Sequence, residues 1–378
     1  MAVKRVVVLG GYGNFGKRIV ERLARHEIVL FVAGRTLSKA RELCDVLIQE
    51  GALADVQPAV LDITRSDLEA QLQALAPQLV IHTSGPFQGQ NYAVVQACLA
   101  IGSHYIDLAD DRRYVCDIAQ FNDRACANNL LLVSGASSVP GLSSCVLEHF
   151  AERFSVLDEI DIAIAPGNRA ERGEATVRGI LSYTGHSFKT YREGQWADSY
   201  GWMNPRRRYF GKRIGWRWLA NVDIPDLELL PARYPALSTV RFQAGLELPL
   251  LHWGMVGMAW IARLGIVKDW SRYTKPIVAS SNWLLSCGTD MGGMRVTLRG
   301  LSRGLQKHSQ TLHWTLVAPK GVGPYIPTLS TIILAEQLIA GHCQHRGATP
   351  CVALYDVDSF NQVSADLGLE QCVEVCVG

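Results

Sequence analysis

Residues 4–16 of the chain read KRVVVLGGYGNFG, an apolar run that leads directly into a glycine-rich loop. The run is β-branched and continuous, as expected of a strand that is buried on both faces. The loop places Gly11, Gly13 and Gly16 in the spacing Gly-x-Gly-x-x-Gly, and an amphipathic helix is predicted directly after it, over Lys17–Arg25. A strand, a glycine loop and a helix in this order indicate a dinucleotide-binding site.

Each glycine of the loop has its own predicted role. Gly11 permits a tight turn, Gly13 lets the backbone approach a pyrophosphate, and Gly16 lets the helix pack closely on the strand. The helix N-terminus, with its partial positive charge, then faces the pyrophosphate. The residues between the glycines are expected to follow the path of the cofactor: Tyr12, Asn14 and Phe15.

Strand and helix patterns alternate over the first 135 residues. Apolar runs predict further strands at EIVLFVAG, VQPAVLD, QLVIHTSG, HYIDLA and LLLVSG. Helical patterns lie between them, over Ser38–Glu50, Ser66–Leu75, Tyr92–Ile101 and a stretch through Ala127. A repeat of strand and helix predicts an α/β fold with a Rossmann-type, doubly wound parallel sheet.

The pattern changes after SGASSVPGLSS, and 378 residues are too many for one ordinary core. Residues 157–166 predict a strand of an antiparallel sheet, and MRVTLRG and HSQTLHWTLVAP predict an adjacent pair with Gly300 and Gly304 in the turn region. GPYIPTLSTIILAEQLIAG predicts a late helix between Pro and Gly signals. We expect three parts: a Rossmann NADP-binding domain over 1–139, a mixed α+β substrate or dimerisation domain over 140–321, and a C-terminal segment over 322–378 that returns to the first domain.

Composition limits the classes of partner. The chain carries 37 Lys and Arg against 35 Asp and Glu, so its formal net charge of +2 gives no reason to expect nucleic acid. Its ten cysteines include no Cys-x-x-Cys pair, which favours buried, reduced thiols over disulfides and predicts no metal site. A strand that begins at Lys4 leaves no room for a secretory signal, and we expect a cytoplasmic protein.

The end of the second strand indicates which dinucleotide binds. NAD sites usually place an acidic residue there for the ribose hydroxyls. Here the sequence supplies Arg35 and Thr36, with Lys39 one turn further on. A guanidinium is a planar, permanently charged donor that suits a 2′-phosphate. The expected cofactor is therefore NADP, and NAD is the less favoured alternative.

Two further strand ends point to the same crevice, because ligands of doubly wound sheets bind at the carboxyl ends of the strands. The third strand ends in VLDIT, which places Asp62 and Ile63 to meet an adenine amine and face. Asp62 is equally suited to cap the helix that follows. The fourth strand ends, beside the expected cofactor, with Ser84, Gly85, Pro86 and Phe87.

With these residues, the chain resembles the saccharopine dehydrogenase-like (saccharopine reductase-type) oxidoreductases over most of its length. TSGPFQGQNYAVVQACLAIGSHYIDLADD is more specific to that family than the glycine loop, and SGASSVPGLSS and GGMRVTLRG also match. The resemblance implies a Rossmann domain joined to a mixed α/β substrate domain, a nicotinamide cofactor, a small-molecule substrate and often a homodimer. Family members oxidise or reduce carbon–nitrogen bonds of amino-acid conjugates, and some relatives are assigned to polyamine synthesis or enoyl reduction.

Hydride transfer needs no protein nucleophile, but it needs a group that manages one proton. Asp107 and Asp110 lie at or just beyond the end of the fifth strand, where a carboxylate can relay a proton or hold a substrate amine. The same Asp-Asp-Arg run also fits a plain helix N-cap with a local ion pair. Tyr183, on a predicted helix of the second domain, is placed to contact substrate or to pack in an interdomain helix. These three residues are the catalytic candidates.

Two stretches of the second domain have more than one interpretation. NPRRRYFGKRIGWRW carries Arg206, Arg207, Arg208 and Arg213, which suit either an acidic substrate or a solvated basic loop or interface patch. Residues 246–270 contain an apolar core from Leu248 to Ile261 that is too short and too interrupted to span a membrane. A helix buried in the protein or across a subunit interface is favoured there over contact with a membrane surface.

The leading hypothesis is an NADP-dependent oxidoreductase that transfers hydride to or from an imine or amine, or another polarised double bond, of an unidentified small molecule. The alternative is a non-catalytic NADP-binding sensor or scaffold, attached to a membrane or lipid surface through residues 246–270. The two hypotheses share the cofactor site and differ in whether NADPH is consumed.

Overall fold

A computed structural model describes residues 3–304 and 306–377 of the chain. The chain forms two compact units. The first unit contains residues 1–142 and 325–363, and the second contains residues 143–324 and 364–378. The segment 322–378, expected to return to the first domain as a whole, is therefore divided between the two units.

The first part of the chain alternates strands and helices. The strands are β1 (Arg5–Leu9), β2 (Val29–Gly34), β3 (Asp55–Val60), β4 (Leu79–His82), β5 (His104–Asp107) and β6 (Leu131–Ser134). The helices are α1 (Asn14–Leu23), α2 (Leu37–Gln49), α3 (Leu68–Leu75), α4 (Ala93–Ile101), α5 (Arg112–Cys116) and α6 (Asn122–Ala127).

The middle of the chain is mixed in type. Its helices are α7 (Ser143–Ala151), α8 (Glu174–Ser182), α9 (Asp226–Arg233), α10 (Pro249–Arg263) and α11 (Thr274–Asn282). Its strands are β7 (Phe154–Ala165), β8 (Ser187–Arg192), β9 (Gln195–Tyr200), β10 (Arg206–Tyr209), β11 (Trp216–Asn221), β12 (Thr239–Ala244), β13 (Gly292–Ser302) and β14 (Ser309–Ala318). The chain ends with α12 (Ile326–Ile339), β15 (Gly347–Pro350), α13 (Val357–Val363) and β16 (Glu370–Val377).

The first unit is built on a seven-stranded sheet in the order β15-β6-β5-β4-β1-β2-β3, with all neighbours parallel. The predicted doubly wound Rossmann-type sheet is thereby confirmed. Strand β1 lies between β2 and β4, and Val7 is paired with Phe31 on one side and Val80 on the other. The glycine loop after β1 consequently lies at the point where the strand order reverses, which is where such sheets bind ligands.

The helix after the glycine loop differs from the prediction in two details. It begins at Asn14, inside the glycine motif, rather than at Lys17. Arg18, a charged residue of this amphipathic helix, is buried. Its Nη1 donates to Asn14 Oδ1 at 2.7 Å, and its guanidinium lies 5.0 Å from the centroid of the Tyr325 ring. Because Tyr325 comes from the far end of the chain, the local pattern did not reveal this contact.

Helix α12 is buried over most of its surface within the first unit. Its Thr331 Oγ1 donates to the carbonyl of Ala136 at 2.7 Å, and its Glu336 Oε1 lies 3.0 Å from Arg22 Nε on α1. Strand β15 then adds to the sheet beside β6. The late helix predicted from its Pro and Gly signals is thus present and completes the first unit.

The second unit contains a seven-stranded sheet in the order β10-β11-β12-β7-β13-β14-β16 and a separate β8–β9 hairpin. Strands β7 and β12 are parallel, and the other neighbours are antiparallel. The predicted pairing of β13 with β14 is confirmed, but Gly300 lies within β13 opposite Gln310 and not in the turn. Strand β16 pairs with β14, which explains why the last residues group with this unit.

Helix α10 occupies the apolar stretch of residues 246–270. One face is buried and includes His252, Met255 and Ala259, so the prediction of a buried helix holds for that face alone. The opposite face exposes large apolar side chains, including Leu250 and Trp260. No helix among the described residues is long and apolar enough to span a membrane.

The cysteines are less uniformly buried than expected. All ten are free; five are buried, and Cys116 is half-buried. The expectation was wrong for the four exposed ones: Cys126, Cys287, Cys372 and Cys376. Within the described part of the chain, no group of three His, Cys, Asp or Glu side chains is arranged to hold a metal ion.

Asp226 is a buried carboxylate in the first turn of α9. Ser143 Oγ donates to its Oδ1, while its Oδ2 has no hydrogen-bond partner among the described atoms. Burial raises the pKa of Asp226 to about 7. The folded state thus binds this proton more tightly than the unfolded chain does, so the stabilisation is full below the ordinary pKa of 3.8 and is lost as the pH rises to about 7.

We therefore predict that Asp226→Asn makes the protein more stable than the wild type at pH 8, by on the order of a few kcal/mol. The advantage should shrink at pH 5, where the wild-type carboxyl is largely protonated in the folded state. Urea unfolding of both proteins at the two pH values measures this difference. Asp158→Asn, at an exposed position, is the control, and a difference for Asp226→Asn that does not change with pH would contradict the prediction.

Candidate functional site

The loop after β1 is folded against the end of β2. The backbone N–H groups of Gly10 and Gly11 both donate to the carbonyl of Ala33, at 2.8 and 3.0 Å. Gly13 N donates to Gly10 O at 2.8 Å, which closes a tight turn. Gly10 has a φ of +77°, in the left-handed region that favours glycine. These bonds fix the path of the loop before α1 begins.

Gly16 has no room for a side chain. A Cβ placed there would lie 2.1 Å from the carbonyl oxygen of Gly10, which belongs to the backbone and cannot turn away. A Cβ on Gly11 would lie 2.9 Å from the carbonyl oxygen of Val8. The first turn of α1 is therefore packed directly on the loop, as the role predicted for Gly16 requires.

The N-terminus of α1 suits an anion. Gly13 is the N-cap, no side chain caps the helix, and its first turn contains no acidic residue. Asn14 Oδ1 accepts from Arg18 Nη1. Uncapped N–H groups and the helix dipole together attract a phosphate, and the glycines leave space for it to approach. The residues present therefore fit the pyrophosphate of a dinucleotide.

Tyr12 covers the end of β2. Its hydroxyl accepts a hydrogen bond from Thr36 N at 2.9 Å, and a Cβ on Gly34 would lie 2.5 Å from its ring. Arg35, between those two residues, is exposed. The structure thus brings the glycine loop together with the residue expected to select the cofactor.

Asp62 lies near Arg35 but does not cap a helix. Its Oδ1 accepts from Thr64 N and Thr64 Oγ1, at 3.0 and 2.8 Å. These bonds, with a smaller contribution from the positive charge of Arg35, lower the pKa of Asp62. Helix α3 begins only at Leu68, so the capping alternative is wrong. Ile63 is half-buried against the core of the first unit.

The loop after β4 is held by two residues that the sequence did not single out. Gln90 Nε2 donates to the carbonyls of Ser84 and Pro86, both at 2.8 Å. Its Oε1 lies 3.2 Å from Nε2 of His82, whose Nδ1 accepts from Ser84 N at 3.3 Å. Burial lowers the pKa of His82 to about 4, so the ring is neutral with its proton on Nε2. The only sequence signal was a histidine at the end of an apolar strand.

Members of this loop differ in where they lie. A Cβ on Gly10 would lie 2.8 Å from Ser84 Oγ, which places Ser84 directly against the glycine loop. Phe87, in contrast, is buried, with its ring centroid 5.1 Å from that of His82 and 5.3 Å from that of Tyr114. Phe87 therefore packs into the protein, and Ser84 borders the candidate cofactor site.

Asp107 is fully buried at the junction of β5 and β6. Its Oδ1 accepts three hydrogen bonds, from Ala109 N and Gly135 N at 2.8 Å and from Ser134 Oγ at 3.0 Å. Burial raises its pKa to about 6, although these hydrogen bonds act in the opposite direction. A carboxylate bonded in this way connects the ends of two strands, so the geometry supports a positioning role.

The two acidic residues that follow have separate environments. Asp111 is the N-cap of α5 and its Oδ1 accepts from Tyr114 N at 2.8 Å, so the N-cap interpretation is confirmed for this residue. Asp110 makes a different contact, with Gln88 Nε2 donating to its Oδ1 at 3.1 Å. Burial raises the pKa of Asp110. Unlike Asp107 and Asp111, Asp110 neither connects two strand ends nor caps a helix.

The remaining candidates lie in the second unit. Tyr183 directly follows α8 and packs against an apolar cluster that includes Trp202 and Met255. In the basic run, Arg208 Nη2 lies 2.5 Å from Asp161 Oδ2, and Arg213 Nη1 lies 2.9 Å from Glu370 Oε1.

Another arginine of the basic run borders an open cavity of about 220 Å³. The guanidinium of Arg207 lies 5.4 Å from the centroid of the Trp216 ring, and Glu374 also lines the cavity. Since carboxylates already partner Arg208 and Arg213, the run presents less free positive charge than its composition suggested.

Part of the chain matches a known protein family, and its fold is similar to that of a solved structure. Residues 6–131 match the family model described as the saccharopine dehydrogenase NADP binding domain. The fold is similar to that of apo saccharopine dehydrogenase (L-Glu forming) from Saccharomyces cerevisiae, with a TM-score of 0.67, 14% identity, and coverage of 99% of this chain and 100% of that one.

A stretch of 144 residues is also 30% identical to a lipid droplet localized protein of Caenorhabditis elegans. This match covers 36% of the chain and only 34% of that relative, about a third of its length. Residues 6–131 thus match the NADP-binding domain of that family, and the fold of the chain is similar to that of the yeast enzyme.

Proposed function

We propose that the protein is an NADP-dependent oxidoreductase that transfers hydride to or from a carbon–nitrogen bond, or another polarised double bond, of a small molecule. One observation carries the proposal: the N-terminus of α1, which has no side-chain cap, lies beside the end of β2, where Arg35 is exposed. Gly16 lets the first turn of the helix pack directly on the glycine loop. The match of residues 6–131 to an NADP-binding domain supports the same conclusion. When bound, the cofactor would donate a hydride from the nicotinamide of NADPH, or accept one at the nicotinamide of its oxidised form.

The residues of the first unit divide the binding work. Backbone N–H groups at the start of α1 hold the pyrophosphate, and Arg35 selects the 2′-phosphate. Tyr12 keeps the end of β2 in place through its bond to Thr36 N, beside Asp62 and Ile63. The β4 loop borders the site with Ser84, and Gly85 and Pro86 are held through the Gln90 contacts.

Proton handling is assigned to Asp110, with Asp107 as a positioning residue. The carboxyl of Asp110 accepts a hydrogen bond from Gln88 Nε2, and burial favours its protonated form. Asp107 fixes the strand ends from which the Asp110 loop departs. Tyr183 is retained as a candidate contact to substrate, from the second unit.

Cofactor selection is tested at Arg35. Arg35→Asp should weaken NADPH binding by roughly ten- to a hundredfold, because a charge-assisted bond to the 2′-phosphate is replaced by repulsion. NADH binding should change little, since NADH lacks that phosphate. Titration of both cofactors against protein fluorescence measures the two effects. Arg41→Asp, at an exposed position on α2, is the matched control, and equal losses for NADPH and NADH would exclude the NADP assignment.

The close approach of α1 to the glycine loop is tested at Gly16. Gly16→Ala should weaken NADPH binding roughly tenfold or more, because the new methyl group must push the start of α1 away from the Gly10 carbonyl. Calorimetric titration of NADPH is the measurement. Gly323→Ala is the control, since a Cβ there meets nothing within 4 Å. Unchanged affinity in Gly16→Ala would show that the cofactor does not depend on this approach.

Turnover tests the enzyme itself. NADPH should be consumed with at least one member of a panel of keto acids mixed with amines, cyclic imines and enoyl thioesters. The alternative, a non-catalytic NADP-binding sensor or scaffold, predicts tight binding of NADPH and no consumption with any of them. That outcome would remove the proposed activity and leave the cofactor site in place.

The proposed proton-transfer role of Asp110 is tested by comparison with its neighbour Asp111. With a substrate from that panel, Asp110→Asn should lower kcat for reduction by roughly a hundredfold and leave NADPH affinity unchanged. Because burial raises the pKa of Asp110, wild-type reduction should decline as the pH rises through that raised pKa, and the variant should lack the decline. Asp111→Asn removes the charge of a neighbouring carboxylate but keeps an N-cap oxygen, and it is the control. Equal kcat values in Asp110→Asn and wild type would reject the assignment.

A further inference from the structure

The exposed face of α10 forms a continuous apolar stripe. Leu250, Trp253, Trp260 and Leu264 recur at the three- and four-residue spacing that places side chains on one side of a helix. They are 70%, 45%, 50% and 70% exposed, respectively. Gly257 lies between the two tryptophans, and a Cβ placed on it would have no neighbour within 4 Å. Large apolar residues at this spacing normally face a core, and here they face outward.

Further large apolar side chains are exposed in the segment that follows the helix. Ile266 and Tyr273 are 72% and 49% exposed, and Trp283, after α11, is 85% exposed. We name as the apolar patch these three residues and the four of the stripe: Leu250, Trp253, Trp260, Leu264, Ile266, Tyr273 and Trp283. An exposed apolar stripe along one face of a helix, with further exposed apolar side chains after it, marks an interaction site.

The patch stands on an ordered support. Met255 and Ala259, on the opposite face of α10, are buried in the apolar cluster with Leu181 and Trp202. Trp270 Nε1 donates to Met258 O at 2.8 Å, which fastens the segment after the helix. Helix α10 is therefore folded onto the second unit, and its outward face is a fixed surface.

The segment that carries the patch has more basic than acidic residues. Between Pro249 and Thr289 the chain has a single acidic residue, Asp269. The same stretch has four exposed basic residues: Arg263, Lys268, Arg272 and Lys275. A helix with tryptophan and leucine outward and Lys and Arg beside them is the composition of a segment that lies in the headgroup region of a membrane.

We propose that the apolar patch docks the protein on the surface of an anionic lipid membrane. Fifteen residues of helix rise about 22 Å, too short to cross the hydrocarbon core, so α10 lies in the plane of the interface. The tryptophan and leucine side chains enter the headgroup boundary, and the basic residues meet lipid phosphates. This inference does not depend on the cofactor site.

Charge argues against a second copy of the chain as the occupant. In a two-fold dimer each patch would meet the same patch, so the excess of basic residues in 249–289 would be brought near the same excess on the other copy. Like charges facing each other across an interface oppose association. An anionic lipid surface removes this repulsion, because its charge is opposite.

Vesicle flotation tests the proposal with the full-length chain. The variant carries Leu250→Ser, Trp253→Ser, Trp260→Ser and Leu264→Ser. The vesicles are phosphatidylcholine alone, or phosphatidylcholine with phosphatidylglycerol as roughly a third of the lipid. The wild type should float with the anionic vesicles, less with the neutral ones, and less at high salt. The variant should partition about a hundredfold more weakly to the anionic vesicles.

The control variant removes four exposed apolar side chains elsewhere: Ile48→Ser, Leu53→Ser, Val375→Ser and Val377→Ser. It should float like the wild type, and circular dichroism should show that both variants are folded. Lack of wild-type flotation with either vesicle, or equal flotation of wild type and patch variant, would overturn the proposal. A dimer in light scattering that the patch variant alone abolishes, without flotation, would make the patch a subunit interface and overturn it too.

Discussion

The first unit depends on one close approach between two pieces of backbone. Where α1 leaves the loop, the Cα of Gly16 faces the carbonyl of Gly10 at a separation that excludes even a methyl group. This contact sets the distance between α1 and β1, and with it the position of the first N–H groups of the helix. Gly10 and Gly11 bind the end of β2 at the same time, so the loop, the helix and the cofactor-selecting strand end are fixed together.

Two buried groups extend this arrangement along the sheet. His82, neutral because it is buried, connects the end of β4 to Gln90 and so shapes the loop that borders the glycines. Asp107 connects the ends of β5 and β6 through two hydrogen bonds to its Oδ1, from Ser134 Oγ and Gly135 N. Buried polar groups are costly when unpaired, so pairs of this kind rigidify the edge where a ligand binds.

Features that depend on neighbouring residues could be predicted from the sequence. The strand, glycine loop and helix at residues 4–25 are local patterns. The alternation of strands and helices indicated the parallel sheet of the first unit, and two neighbouring strand-like runs indicated the pairing of β13 with β14. The burial of Arg18 could not be predicted, because its partner Tyr325 lies at the other end of the chain. The sequence likewise showed an apolar run from Leu248 to Ile261 but not that only one face of α10 is buried.

The acidic run shows the same limit at the level of chemistry. Three carboxylates within five residues look equivalent in the sequence. In the structure, Asp107 connects two strands, Asp111 caps a helix and Asp110 accepts a hydrogen bond from Gln88. Only the contacts separate a positioning residue from a candidate proton carrier. The division of the C-terminal segment has a similar cause, since the pairing of β16 with β14 depends on register across distant strands.

The central claim is that the first unit holds NADPH so that its hydride reaches a small molecule. The most direct measurement is mass spectrometry of the reduced product formed with NADPH that carries deuterium at the nicotinamide C4, separately on each face. Direct transfer predicts that the product gains one deuterium from one of the two labelled forms and none from the other. A product that gains deuterium from neither form, or from both alike, would contradict the claim.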